Sequence, residues 1–260
     1  MGEVFGMEGC LESLQKARRQ MLTANIAYFL ALLAAGLLIL YLTDERLRYL
    51  GIAVCISVYL TVVRPLGKRY RLSIREAVLK NIFGKKLKDY TYEPGRGIQK
   101  RQVADTDLFP MKSDKAFLSR ELVCGSSGNC SVEIADVAFP ICIDRQNEMF
   151  NGCFIQVEFQ KTIHSSVCIK AGNVEEEREI TYRTDKFLKK LASEYGNIYL
   201  RVQENKLTML CRGKFLGFRI NPLYPVTSEL FLFDPLPEFK KAMDLVQLMS
   251  NASEIERDAS

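Results

Sequence analysis

The segment QMLTANIAYFLALLAAGLLILYLT, residues 20–43, contains no charged side chain over about 24 residues. At about 1.5 Å per residue, a helix of this length covers the roughly 30 Å hydrocarbon core of a bilayer. A second apolar segment, residues 49–63, is only about 15 residues long and lies between Arg48 and Arg64. It can cross a bilayer only if both arginines extend their guanidinium groups to the interfaces. We therefore predict a transmembrane helical hairpin over residues 20–66.

The length of the first apolar segment argues against the alternative of a cleavable signal peptide. Such a peptide needs a short apolar region soon after a basic start, with small residues at the cleavage site. Here the apolar segment is longer, and a polar stretch of about 20 residues precedes it. We predict that residues 1–19 form a cytoplasmic N-terminal helix that continues into the first span.

The charge of the chain is distributed unevenly, and this distribution predicts the topology. The net charge is +5, but about 14 Lys and Arg against 6 Asp and Glu lie in residues 1–88, so the rest of the chain is mildly acidic. Nucleic acid is therefore excluded as the expected partner. Basic residues flank both apolar segments on their outer sides, which predicts a multi-pass protein of the inner (plasma) membrane with both termini in the cytoplasm. Eight cysteines without paired spacing fit a reducing compartment.

A basic segment follows the second apolar stretch and is predicted to form an amphipathic juxtamembrane helix over residues 67–89. Such a helix can bind anionic headgroups at about 1 kcal/mol per Lys or Arg near the surface. The alternative is a stalk that packs its apolar edge on the following domain. The candidate headgroup contacts are Lys68, Arg69, Arg71, Arg75, Lys80, Lys85, Lys86 and Lys88.

We predict that residues 90–250 form one cytoplasmic α+β domain and that residues 251–260 form a flexible tail. About four antiparallel strands are expected between Arg120 and Ala171, with GSSGN at residues 125–129 as a hairpin turn. A helix from Asp185 to Gly196 and a second hairpin follow, with strands at residues 198–202 and 207–211 and a turn at 204–206. A final helix of about 14 residues begins near Asp234.

Few side chains in this domain indicate chemistry. The only histidine, His164, is expected in a polar turn, so no site with two imidazoles can form. Cys124 and Cys130 are expected across a hairpin, where two thiols can approach within bonding distance. A metal site would need ligands from Cys142, Cys153, Cys168 and Cys211, but none of these has CxxC spacing. We predict no catalytic residue, no metal site and no cofactor.

The order of the motifs resembles that of a bacterial protein family. A membrane hairpin, a basic helix, YEPGRGI at residues 92–98, LFP at 108–110, FNGCFIQVEF at 150–159 and a closing amphipathic helix are similar to domain-of-unknown-function family 3137 (DUF 3137) over nearly the whole chain. Asn151 departs from the basic residue that the family usually has before this glycine. The resemblance implies an integral membrane protein with a cytoplasmic α+β domain and no established activity.

These observations predict a membrane-tethered interaction or scaffold protein that presents its cytoplasmic domain at the membrane surface to an unknown protein partner. The alternative is a thiol-dependent enzyme acting on a membrane-associated substrate, with Cys124 or Cys130 as the nucleophile. A third hypothesis is a homo-oligomer formed through the spans, where Ala34, Ala35 and Gly36 allow close approach of helices.

Overall fold

The computed structural model describes residues 2–41, 45–109, 116–143, 146–170, 173–176, 189, 198–217 and 236–258. The described chain divides into two compact units. The first contains the residues up to Asn81, and the second contains the described residues from Ile82 onward.

The first unit is helical. It contains α1 (Gly2–Tyr41), α2 (Glu45–Val58), a π-helical segment (Tyr59–Val63) and most of α3 (Arg64–Phe83). The N-terminal helix and the first apolar segment form one helix of 40 residues. The predicted boundary between the hairpin and the basic helix, at residues 66–67, differs from the structure, in which α3 begins at Arg64 directly after the π-helical segment and includes Pro65 in its first turn.

One described helix is long and apolar enough to cross a membrane. It covers Leu11–Leu37, near the N-terminus, and only 6% of its most apolar window is buried within the protein. The second apolar helix, Gly51–Thr61, is shorter than a span. The structure therefore gives one helix of spanning length rather than the two that the sequence predicted.

The second unit contains the sheet. Its strands are β1 (Lys88–Glu93), β2 (Leu118–Ser127), β3 (Cys130–Ile143), β4 (Gln146–Lys170), β5 (Asn173–Glu176) and β6 (Ile198–Arg212). Strands β1 to β4 pair in chain order, and every pairing is antiparallel. The long strand β4 also pairs with β6 along most of its length and with β5 near its C-terminal end. Two helices complete the described part of this unit, α4 (Lys100–Ala104) and α5 (Glu238–Asp258).

One face of the sheet carries an aromatic core. The rings of Phe139 and Phe150 stack at 5.0 Å between centroids, and Phe109 contacts both rings and that of Tyr199. Phe109 comes from the segment that follows α4, so this segment covers the face. The core holds these elements together because each aromatic ring buries a large apolar area.

The opposite face is also buried. Neighbouring strands place apolar residues in register there, as in the row of Ile134, Ile155 and Met209, all of which are fully buried. Helix α5 packs against β4 and β6 and buries Phe239 and Leu245. The sheet therefore lies between two apolar layers, which confirms the predicted α+β class with an antiparallel sheet and packed helices.

Two local predictions about the strands differ from the structure, and one is confirmed. The four strands expected between residues 120 and 171 are three, because β4 continues through the position of His164, where the sequence predicted a turn. The second hairpin is wrong as well. Residues 198–212 form the single strand β6, without a reversal at Glu204, which has a φ of 53°. The register between the two strands shifts here because β4 contributes more residues than β6 between the pairs Glu158–Lys206 and Val167–Val202. The turn at residues 125–129 is confirmed, with Gly128 at a φ of 60°.

The remaining differences concern the ends of elements. The basic helix ends at Phe83, and the predicted helical residues near 88 begin strand β1 instead. Helix α5 runs to Asp258, so it is longer than predicted and includes most of the expected tail. The helix predicted from Asp185 to Gly196 falls almost entirely outside the described residues.

Candidate functional site

The basic residues of α3 lie mainly on its exposed side. Helix α3 buries Tyr70, Ile74 and Val78 along one stripe, which orients the opposite stripe outward. Of the eight candidate headgroup contacts, Arg75 is half-buried and the other seven are exposed, namely Lys68, Arg69, Arg71, Lys80, Lys85, Lys86 and Lys88. The ammonium group of Lys86 also lies 5.9 Å from the centre of the Phe239 ring.

The two candidate nucleophiles do not face each other. In the register of β2 and β3, Cys124 is opposite Glu133, whereas Cys130 is opposite Ser127. Because side chains alternate between faces along a strand, Cys124 and Cys130 lie on opposite faces of the sheet. The prediction that these thiols approach within bonding distance is therefore wrong.

The electrostatic surroundings of these thiols also disfavour a nucleophile. Partial burial raises the pKa of the Cys124 thiol, and the nearby carboxylates of Glu133 and Glu93 raise it further. Partial burial likewise raises the pKa of Cys130. A raised pKa lowers the thiolate fraction at neutral pH, and the thiolate is the reactive form.

The other described thiols are buried within the sheet. Cys153 and Cys211 occupy paired positions on β4 and β6, and burial raises the pKa of both well above its usual value. Across the described residues, no group of three or more His, Cys, Asp or Glu side chains has an arrangement that could hold a metal ion. The backbone of His164 belongs to β4.

The described chain does form a polar groove on the sheet, which we call the sheet groove. Its volume is about 510 Å³, within the range of sites for small molecules. Strands β3, β4 and β6 form its floor, α4 and the residues after it form one wall, and residues 203–205 of β6 form another. It lies on the same face as the aromatic core, beyond the point where that core ends.

Two rows of residues in register form the floor of the sheet groove. One row joins Glu133, Gln156 and Thr208 across three strands, and the next joins Ser131, Glu158 and Lys206. Further along the same strands the same face carries Ala135, Phe154 and Leu210, which belong to the aromatic core. One face of one sheet therefore changes from apolar to polar within a single two-residue step.

Both floor carboxylates are held by amide groups. The Gln102 amide donates to Glu133 with an Nε2–Oε2 distance of 2.8 Å, and the Asn205 amide donates to Glu158 with an Nδ2–Oε1 distance of 3.2 Å. An amide orients a carboxylate without neutralising its charge. Each contact engages one carboxylate oxygen, which leaves the second oxygen available for a ligand.

A second polar cluster is buried on the opposite face of the sheet from the sheet groove. The Asp136 carboxylate accepts backbone N–H groups from Leu216 at 2.6 Å and from Gly217 at 2.8 Å. Burial raises the pKa of Asp136 to about 6, with a smaller contribution from Glu121, while the two N–H donors oppose the rise. The nearby Glu121 carboxylate accepts a hydrogen bond from the Tyr92 hydroxyl. This cluster is enclosed, and it fixes the chain after β6 to the sheet.

Sequence reasoning missed both polar clusters. Residues such as Glu133, Gln156 and Thr208 alternate with apolar residues, as on any strand with one solvated face. The groove arises because α4 and residues 203–205 of β6 stand beside that face. A single sequence carries no local signal for this arrangement, since it depends on register across three strands.

Comparison of the chain with models of protein families, with curated proteins and with solved structures finds no match.

Proposed function

We propose that this protein is a membrane-anchored binding protein, held by a two-span helical hairpin, that presents the sheet groove at the cytoplasmic surface of the inner membrane. The observation that carries the proposal is the exposed apolar surface of α1. Helix α1 has the length and composition of a span, and nearly all of its apolar window is uncovered within the protein. Membership in family 3137 stays part of this proposal.

The free energy of transferring the exposed apolar side chains of α1 from water into an apolar environment supports a location in lipid. Ile26, Phe29 and Leu30 are each at least 60% exposed. Moving one such side chain from water into an apolar environment contributes about 1.5–3 kcal/mol. A continuous apolar helix surface of this size is typical of a membrane or protein interface rather than of a solvated helix.

The second span is supported by the contact between the two apolar helices. Helix α1 contacts both α2 and the π-helical segment, and the rings of Tyr28 and Tyr59 lie 5.6 Å apart. The described apolar part of the second helix is short, so Arg48 and Arg64 would have to reach the two interfaces. A paired short helix can cross where a local thinning of the bilayer accommodates it.

The exposed basic residues support an orienting role at the membrane surface. The exposed residues of α3, among them Lys68, Arg69 and Lys80, directly follow the proposed second span. Anionic headgroups attract such residues at about 1 kcal/mol each, and salt screens the attraction. The unknown protein partner predicted from the sequence and a homo-oligomer through the spans remain parts of the same proposal.

Membrane fractionation of the expressed full chain tests the anchor. We expect the protein to stay with membranes after alkaline carbonate washing, and a reporter fused to its C-terminus to be active in the cytoplasm. Release by carbonate, or a reporter that is active only outside the cytoplasm, would contradict the proposal.

Replacing Leu33 with Arg should reduce membrane insertion, because a charge at mid-span costs about 3 kcal/mol on insertion scales. Replacing the exposed Leu118, which lies outside the apolar helices, with Arg is the matched control.

Lysine labelling of the reconstituted protein tests the orienting role. A membrane-impermeant amine reagent should label Lys68 and Lys80 more slowly in vesicles with anionic lipid than in purely zwitterionic vesicles, and high salt should remove the difference. Lys206 in the sheet groove is the internal control. Equal labelling rates in both kinds of vesicle would reject headgroup contact while leaving the anchor intact.

A further inference from the structure

The floor of the sheet groove contains a hydroxyl whose hydrogen-bonding capacity is not used within the described chain. Thr208 lines the groove and is only 5% exposed. Its hydroxyl makes no hydrogen bond to any residue that the structure describes, although a hydroxyl can donate one bond and accept two. The hydroxyl oxygen is not one of the fully enclosed polar atoms of the described chain, so it is open to an atom that enters the groove.

The neighbours of Thr208 in the same row also have hydrogen-bonding capacity left. Gln156 lies between Glu133 and Thr208 in register, and its amide makes no hydrogen bond within the described chain. Glu133 has one oxygen bound to Gln102 and a second oxygen available. Adjacent strands are about 4.8 Å apart, so the row from Glu133 to Thr208 extends over about 10 Å of the groove floor, with Gln156 at its centre.

The excess of carboxylates in the lining of the groove favours a ligand with a positive charge. One lining cation, Arg201, donates its Nε–H to the amide oxygen of Gln203, with an Nε–Oε1 distance of 3.1 Å. The two floor carboxylates are bound by neutral amides, so their charge is not compensated by those contacts. The groove is lined by four carboxylates, Asp105, Glu133, Glu158 and Glu204, and by two cations, Arg201 and Lys206.

We propose that the sheet groove binds a ligand through a primary ammonium group, with Glu133 as the charge partner and with Gln156 and Thr208 as hydrogen-bond acceptors. An ammonium group has three donors, which match the acceptors of this row. The absence of described aromatic side chains from the lining argues against a quaternary ammonium, which is recognised through aromatic rings. The proposal rests on the proposed function only in taking the sheet groove as the binding surface.

The ammonium group can belong to a free polyamine or to the lysine side chain of a peptide, and calorimetry on the full chain in a nonionic detergent distinguishes these sources. The probes are spermidine, a short lysine-containing peptide and inorganic phosphate. We expect binding of at least one of the two amines and no binding of phosphate. Tighter binding of spermidine identifies a free polyamine as the source, and tighter binding of the peptide identifies a protein segment.

Two variants and one control assign the bound amine to the floor row. Glu133→Gln should weaken binding about tenfold or more, since it removes a charged hydrogen-bond partner. Thr208→Val keeps the side-chain shape and should weaken binding about fivefold. Glu93→Gln, which changes a carboxylate outside the groove that pairs with Arg96, should leave binding unchanged. Unchanged circular dichroism spectra verify that the variants are folded.

Several results would overturn the proposal. One is the absence of binding of both amines. Another is an amine affinity of Glu133→Gln and Thr208→Val that equals the affinity of the wild type. A third is binding of phosphate that is lost in Lys206→Gln. Failure of the anchor is separate, because fractionation measures it without any ligand. A protein that stays in the membrane but binds neither amine rejects this inference and leaves the anchor standing.

Discussion

The buried carboxyl of Asp136 gives the protein a pH dependence whose sign the structure determines. Its carboxyl has a pKa of about 6 in the folded protein against 3.8 in the reference state, chiefly because of burial. Between these two values the folded protein binds more protons than the unfolded chain. The free energy of unfolding therefore falls as pH rises through this window.

The magnitude follows from the difference between the two pKa values. One pKa unit corresponds to about 1.4 kcal/mol. A rise from 3.8 to about 6 therefore destabilises the folded protein by about 3 kcal/mol at pH 7 relative to about pH 3. Asp136→Asn removes this titration and keeps an acceptor oxygen for one of the two N–H groups, since those of Leu216 and Gly217 bond to different oxygens of Asp136.

Urea unfolding of the full chain in detergent micelles, followed by far-UV circular dichroism, tests this reasoning. The free energy of unfolding should fall more steeply between about pH 4 and about pH 7 in the wild type than in Asp136→Asn, with a difference that approaches 3 kcal/mol. Asp105→Asn, which removes an exposed carboxylate, is the control and should keep the wild-type slope. Parallel profiles for the wild type and Asp136→Asn would refute the argument.

Three further predictions concern the packing of the sheet. Phe139→Ala should lower the free energy of unfolding by about 3–5 kcal/mol, because it empties a fully buried ring site; a loss below about 1 kcal/mol would mean that this core is loosely packed. Gly152→Ala should destabilise the protein by about 1–3 kcal/mol, as its methyl group would overlap the Cys211 carbonyl, whereas Gly95→Ala, with open space around it, should be nearly neutral in the same urea assay. Iodoacetamide with mass spectrometry should leave Cys153 and Cys211 unmodified in the folded protein and modify both in urea; rapid native labelling would contradict their burial.

The sequence predicted those elements whose signals are local. The turn at Gly128 was recognisable because a positive φ favours glycine there. The fold class followed from short runs of β-branched and aromatic residues after a long apolar helix. The alternating patterns of residues 198–202 and 207–211 correctly indicated extended chain.

The errors came from features that depend on distant partners. Polar residues at 204–206 are typical of a turn, but pairing with the continuous β4 keeps this segment extended, and the register shift is taken up by additional residues of β4. The same pairing keeps the chain around His164 in a strand. The expected proximity of Cys124 and Cys130 failed because it depended on a register that spacing alone does not determine.

The groove could not be predicted for a related reason. Glu133, Gln156 and Thr208 are separated by 23 and 52 positions in the chain, and only the registers of two strand pairs bring them into one row. Gln102 and Asn205, which hold the floor carboxylates, come from still other segments. Each residue alone resembles an ordinary solvated position on a strand.

The central place of β4 has a consequence for biosynthesis. Its partner β6 follows it in the chain and leaves the ribosome later, and α5, which packs on both strands, follows β6. Throughout that interval nascent β4 exposes an unpaired edge and an uncovered apolar face, while the N-terminal helix has already emerged. Chains truncated before Glu238 should therefore be recognised by chaperones and proteases, and C-terminal deletions should reduce cellular abundance far more than their length suggests.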